Sequence, residues 1–132
     1  MPATIPESHA AIFKGKGLAH IATVMPDGSP QVTPVWVDLE DGLVVFNSAE
    51  GRVKSKNLGL NAKVALSITD EANPYRYVQV RGTVVERTTE GADANIDRMA
   101  KKYLGVESYP GRNPAEQRVI FRVRPDRVQV MG

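Results

Sequence analysis

LAHIATVMPDGSPQVTPVWVDLEDGLVVFN, residues 18–47, holds three apolar, β-rich runs separated by two turn signals, Pro26-Asp27-Gly28-Ser29 and Glu40-Asp41-Gly42. Asp-Gly pairs mark tight turns, because the aspartate bonds nearby backbone and the glycine accepts a positive φ. The reading is three strands, over 18–25, 31–39 and 43–47, forming an antiparallel meander. Pro34 falls inside the second run. Proline donates nothing to a strand ladder, so it marks an edge, a bulge, or backbone facing something other than a neighbouring strand, such as a flat heterocycle.

The flanking sequence extends this β pattern with few helices. Residues 6–14 read as a short helix, with Pro6 tolerated in its first turn and Gly15 stopping it. Residues 51–59 allow about two helical turns ending at a glycine. Strands follow over 63–69 and 75–87, and Gly82 in the longer one is a natural bend or bulge. The clearest helix spans 89–104, with threonine caps, Ile96, Met99, Ala100, Tyr103 and Leu104 on one face, and Gly105 past its end. After a loop over 110–114, strands over 117–123 and 126–130 are joined by a turn at Arg124-Pro125. Six or seven strands without βαβ alternation predict a closed or partly closed antiparallel barrel.

With 132 residues, 42% of them hydrophobic, the chain sustains one packed core, so residues 1–132 are expected to form one domain. The absence of cysteine removes disulfides, thiolate metal sites and thiol nucleophiles together. It suits a reducing compartment, and the cytoplasm is the expected location. Residues 1–16 hold no long apolar run, so neither a signal peptide nor a membrane span is expected. A net charge of +2 and 6% aromatic residues give too little basic excess and stacking surface for a nucleic-acid partner.

Few residues carry chemistry by themselves. His9 and His20 lie in unlike contexts with no carboxylate at ligand spacing, so no metal site is expected, and His20 reads as a partly buried strand histidine. No nucleophile elbow frames Ser48, Ser55 or Ser67. Trp36, the one tryptophan, reads as a packing anchor. The informative cluster is Arg52-Val53-Lys54-Ser55-Lys56, which follows the third strand through Asn47-Ser48-Ala49-Glu50-Gly51. There Ser48 is placed to cap the turn and Gly51 to let backbone approach a ligand, so N–H groups and two or three cations converge on one anion. The spacing alone also admits solvated charges on a short surface helix.

In this order the pieces resemble the pyridoxamine 5'-phosphate oxidase-like superfamily of flavin and deazaflavin oxidoreductases, and within it the F420-dependent B group. The likeness runs from about residue 18 to the C-terminus. It rests on ATVMPDGSPQV at 22–32, on 47–58 with its Arg-x-Lys-x-x-Asn-Leu, and on 75–82. The resemblance implies a mainly β fold, a six- to seven-stranded antiparallel split β-barrel of the FMN-binding type. It implies a homodimer with the cofactor in a groove between subunits. Arg52 and Lys54 would hold the phosphate, with Asn47, Ser48 and the Val53 backbone alongside. Val32, Thr33, Pro34 and Val35 would run beside the ring, Tyr77 near it, and Lys56 toward an anionic tail. The implied cofactor is coenzyme F420, with FMN as the alternative. The implied activity is hydride transfer from the reduced deazaflavin to an electron-poor, conjugated or quinone-like small molecule. An FMN oxidoreductase or electron carrier, and a non-catalytic protein that stores or carries the cofactor, are the competing readings. No acid–base residue stands out, and Tyr77 is the one hydroxyl placed near the ring. Pyridoxamine 5'-phosphate oxidase activity itself is not expected, because no late arginine and histidine motif for a substrate phosphate is present.

Overall fold

The computed structural model describes residues 3–132; Met1 and Pro2, the start of the N-terminal stretch read above, lie outside the described residues. Seven strands form one antiparallel sheet: β1 (Ala19–Val24), β2 (Pro30–Val35), β3 (Val37–Glu40), β4 (Leu43–Ala49), β5 (Lys63–Asp70), β6 (Asn73–Thr88) and β7 (Arg118–Met131). Their order is β2-β1-β5-β6-β7-β4-β3. β2 and β3 stand at opposite ends of it, yet only Trp36 separates them along the chain. The two ends of the sheet are thereby tied together, and the sheet curls into a split half-barrel.

This corrects the expected meander. The run over 31–39 is two strands, β2 pairing with β1 through Ala19↔Val35 and β3 pairing with β4 through Val37↔Phe46. The break follows Pro34 and is fixed by Tyr103, whose hydroxyl accepts the Val37 N–H at 3.1 Å and donates to the Gly17 carbonyl at 2.9 Å. A second correction concerns residues 117–130, where one continuous strand, Arg118–Met131, replaces the two expected. Gly82 faces Pro125 while Arg81 faces Arg127, so Asp126 is the extra residue of a bulge. The proline that suggested a turn sits where a missing donor is tolerated.

Strand alternation puts Ile21, Leu66, Val80 and Phe121 inside the barrel, where Phe46 and Phe121 stack at 5.0 Å. Residues 6–14 begin as α1 (Glu7–Ala10), continue as a 3-10 turn (Ala11–Lys14), and bury Ile12 and Phe13 against this core. His20 is exposed rather than partly buried, because its strand phase places it outward beside Ser67. α2 (Val53–Asn57) follows β4, and α3 (Ala92–Leu104) lays Ile96 and Met99 over Val45 and Ile120. Leu104, expected on that buried face, is exposed, and no threonine side chain caps the helix, which starts only after Gly91. Gly105, at φ +72°, closes α3 as its position in the sequence indicates. Among the described residues no helix is long and apolar enough to cross a membrane, and no group of three His, Asp or Glu is placed to hold a metal.

Candidate functional site

α2 is held by side chains the Arg-x-Lys-x-x-Asn-Leu motif supplies and by one it does not. Asn57 Nδ2 donates to Thr23 Oγ1 at 2.9 Å, and Leu58 is fully buried. Arg87 of β6 donates to the Ser55 and Leu58 carbonyls at 2.7 and 3.1 Å and pairs with Glu50. So anchored, the short helix aims Arg52 and Lys54 across a cleft of about 260 Å³. Leu18, Pro34, Val35 and Trp36 line it together with Asn47, Ile96, Tyr109 and Arg118. Trp36 stacks on Tyr103 at 5.3 Å and meets the edge of Tyr109 at 5.8 Å, so the tryptophan read as a packing anchor is also a cleft wall. Asp97 places Tyr109, accepting its backbone N–H at 2.8 Å and the Arg112 guanidinium at 2.7 Å.

Five of the residues singled out in the sequence meet here: Pro34, Val35, Asn47, Arg52 and Lys54. Val32 is 61% exposed on the outward sheet face, and Val53 is exposed beyond the cleft. Thr33 Oγ1 and Ser48 Oγ are buried without hydrogen-bond partners, so Ser48 caps nothing. Tyr77 pairs with Thr69 and Met131 on β6, three strands from β2, and does not reach the cleft of its own chain. Lys56 points to solvent. α2 has one and a half turns, and the Arg52 N–H is already bonded to the Ala49 carbonyl at 3.2 Å. The site is built from side-chain cations.

Arg118, at the head of β7, went unread in the sequence. Its only signal there is an arginine opening the apolar run Val119-Ile120-Phe121. It is 7% exposed, and Lys54 is 8% exposed. Asn47 orients it: Oδ1 accepts Arg118 Nε at 2.9 Å, while Nδ2 donates to Asn95 Oδ1 and the Ala92 carbonyl, each at 2.9 Å. Asn47 thus positions Arg118 as well as lining the cleft. The guanidinium lies 5.3 Å over the Tyr109 ring, and its Nη1 has no hydrogen bond among the described residues. Burial first, then Arg52 and Arg118, push Lys54 below the usual lysine range; burial and Arg52 lower Arg118 from the ordinary arginine value. Glu116 is the carboxylate paired with them, 3.1 Å from Arg52 and 3.9 Å from Arg118, and Asp93 adds a weaker, more distant negative charge toward Arg118. Three cations with a single carboxylate paired to them, and a buried donor left unpaired, is the electrostatics of an anion site.

The family profile for pyridoxamine 5'-phosphate oxidase matches residues 5–132. Among solved structures, an F420 reductase superposes with a TM-score of 0.81 at 32% identity, over 95% of this chain and 98% of that one. A conserved protein of Mycobacterium tuberculosis superposes at 0.72 with 19% identity, over 98% and 86% of the two chains. HupZ of Group A Streptococcus does so at 0.69 with 22% identity, over 96% and 94%. These last two share the fold. No curated protein matches the sequence. The profile spans nearly the whole chain, the curled seven-stranded sheet agrees with it, and a cationic cleft with an aromatic wall suits a phosphate-bearing ring cofactor; the chain belongs to the pyridoxamine 5'-phosphate oxidase family of flavin-type oxidoreductases.

Proposed function

We propose that this protein is a reductase that uses coenzyme F420, acting on electron-poor conjugated or quinone-like small molecules. The carrying observation is the likeness to an F420 reductase along nearly the full length of both chains. The cleft supports it. Arg52, Lys54 and Arg118 are placed to hold the phosphodiester, while Pro34 and Trp36 give the ring a flat, apolar neighbour that excludes water. The deazaflavin, when bound, supplies the hydride chemistry. Lys56, exposed at the end of α2, is free to meet the anionic tail. FMN is the second reading, favoured by the cluster of three cations, which also suits a compact phosphate monoester. Calorimetry with both ligands at low and high salt separates them. F420 is expected to bind about tenfold more tightly, a difference of about 1.4 kcal/mol, with affinity falling as salt rises. Tighter binding of FMN moves the assignment to the second reading. Turnover of reduced F420 with a quinone acceptor distinguishes a reductase from a cofactor carrier.

The reading includes a homodimer. A cleft of about 260 Å³ is smaller than the roughly 300–1,000 Å³ of pockets that enclose a whole ligand of this kind, so one chain supplies part of the site. Val32, Ala22 and Ala65 share one row of the outward face beside exposed Val24, and Tyr77 pairs with exposed Met131 farther along the same face. Apolar side chains exposed on one face of the sheet suit a protein partner, here a second copy. Packing there brings a partner's Val32 and Tyr77 toward the ring, which their own chain cannot do. Light scattering is expected to give twice the chain mass at micromolar concentration; a monomer that binds the cofactor fully rules out the shared groove.

A further inference from the structure

We infer that Arg118 is the buried anion-reading residue of the cleft, and that Glu116 is its interim counter-ion, displaced when the ligand's phosphate arrives. This rests on the cleft being a cofactor site and deepens that reading. Arg118 is held in one orientation by the buried chain Arg118 Nε to Asn47 Oδ1, Asn47 Nδ2 to Asn95 Oδ1, each at 2.9 Å. A fixed guanidinium is pre-organised for a planar, forked contact, and here Nη1 is left without a partner although it is buried. Glu116 comes within 3.9 Å of that nitrogen, beyond hydrogen-bonding reach, while it pairs with half-exposed Arg52 at 3.1 Å. The carboxylate therefore offsets part of the charge of the two arginines without satisfying the buried one. It sits on an exposed loop, held locally by its N–H to the Asn113 carbonyl at 2.9 Å, and Arg52 is exposed enough to let it leave. A phosphate group placed between Arg52, Lys54 and Arg118 supplies more charge and more acceptor oxygens than Glu116 does. Exchange of one anion for the other is then favourable, and the affinity of the site is set partly by the carboxylate it must displace.

Two substitutions of opposite sign test this, with F420 and inorganic pyrophosphate as probes in calorimetry. Arg118→Gln is expected to weaken both at least tenfold, and Glu116→Gln to tighten both several-fold. Asn95→Ala, which leaves every charge in place, is expected to weaken both by loosening Arg118, with a salt dependence like that of the parent. Should Arg118→Gln fail to fold, Glu116→Gln still decides, because no loss of structure tightens binding. Unchanged or weaker binding by Glu116→Gln, or parental binding by folded Arg118→Gln, overturns the inference. If pyrophosphate obeys this pattern while F420 does not bind, the anion site stands and the F420 assignment falls. If F420 binds the parent and all three variants alike, the assignment stands and this inference falls. A parent that binds neither probe removes both.

Discussion

Replacing both Arg52 and Lys54 by alanine is expected to lower F420 affinity by about two orders of magnitude, with no loss of ligand-free thermal stability. Each side chain offers a charge-assisted contact of about 1.5–3 kcal/mol, and two neighbours sharing one anion are not fully additive, which leaves about 3 kcal/mol. Stability is spared because neither cation holds the fold. Lys54 has no hydrogen bond or ion pair among the described residues, and Arg52 contributes only the exposed pair with Glu116. The Lys54 half of this prediction carries a pH signature. Its ammonium is pushed below the usual lysine range by burial and by two arginines. A bound anion favours the charged form and raises that value again, so affinity in the parent falls as pH climbs through the lowered value. Lys54→Ala alone abolishes that slope. For the ligand-free protein the sign is opposite: the unfolded chain keeps the lysine proton to higher pH, so stability rises between the lowered value and the ordinary one. Calorimetry across the alkaline range, with thermal melts of the same samples, measures both. Parental affinity in the double variant places the phosphate elsewhere.

The cationic cleft was only half legible in the sequence, for reasons that lie in particular residues. Arg52 and Lys54 are local to a turn after a buried strand, and proximity in sequence is enough to pair them. Arg118 joins them through the β4–β7 pairing Asn47↔Ile120 and Ala49↔Arg118, a register no turn signal encodes. Asn47 was legible as a polar residue ending an apolar strand, yet its role depends on Asn95, a position on α3 that periodicity marks only as near the buried face. Trp36 illustrates the same limit. One residue between two apparent halves of a strand is invisible as a break, and only the hydroxyl of Tyr103, far along the chain, fixes it. Val32 and Tyr77 fail differently. Alternation does place both on one face, but which face a ligand uses depends on what packs against it.

Gly82 is the element of the barrel that the sequence exposed most fully, and Gly82→Ala is expected to be the most damaging single-methyl change in the fold. A Cβ there lies 2.5 Å from the Arg124 carbonyl oxygen and 2.6 Å from a Val123 methyl, so backbone, not a flexible side chain, stands in its way. The conflict arises from the bulge: Pro125 and the extra Asp126 bring β7 close over β6, and only a residue without a side chain fits beneath. Relief requires reopening the pairing of the two longest strands in the sheet. Overpacking of this kind costs about 2–3 kcal/mol, which lowers the melting temperature by on the order of 10 °C in a domain of this size. Gly59→Ala is the matched control, since a Cβ at Gly59 meets nothing and its φ is unstrained. The damage is expected to extend to the cleft. Arg87, five residues along β6 from Gly82, holds the carbonyls of Ser55 and Leu58, so a shifted β6 loosens α2 and with it Arg52 and Lys54. Thermal melts of both glycine variants, with and without F420, check this: a Gly82→Ala melting temperature equal to that of Gly59→Ala refutes the bulge as a tight contact.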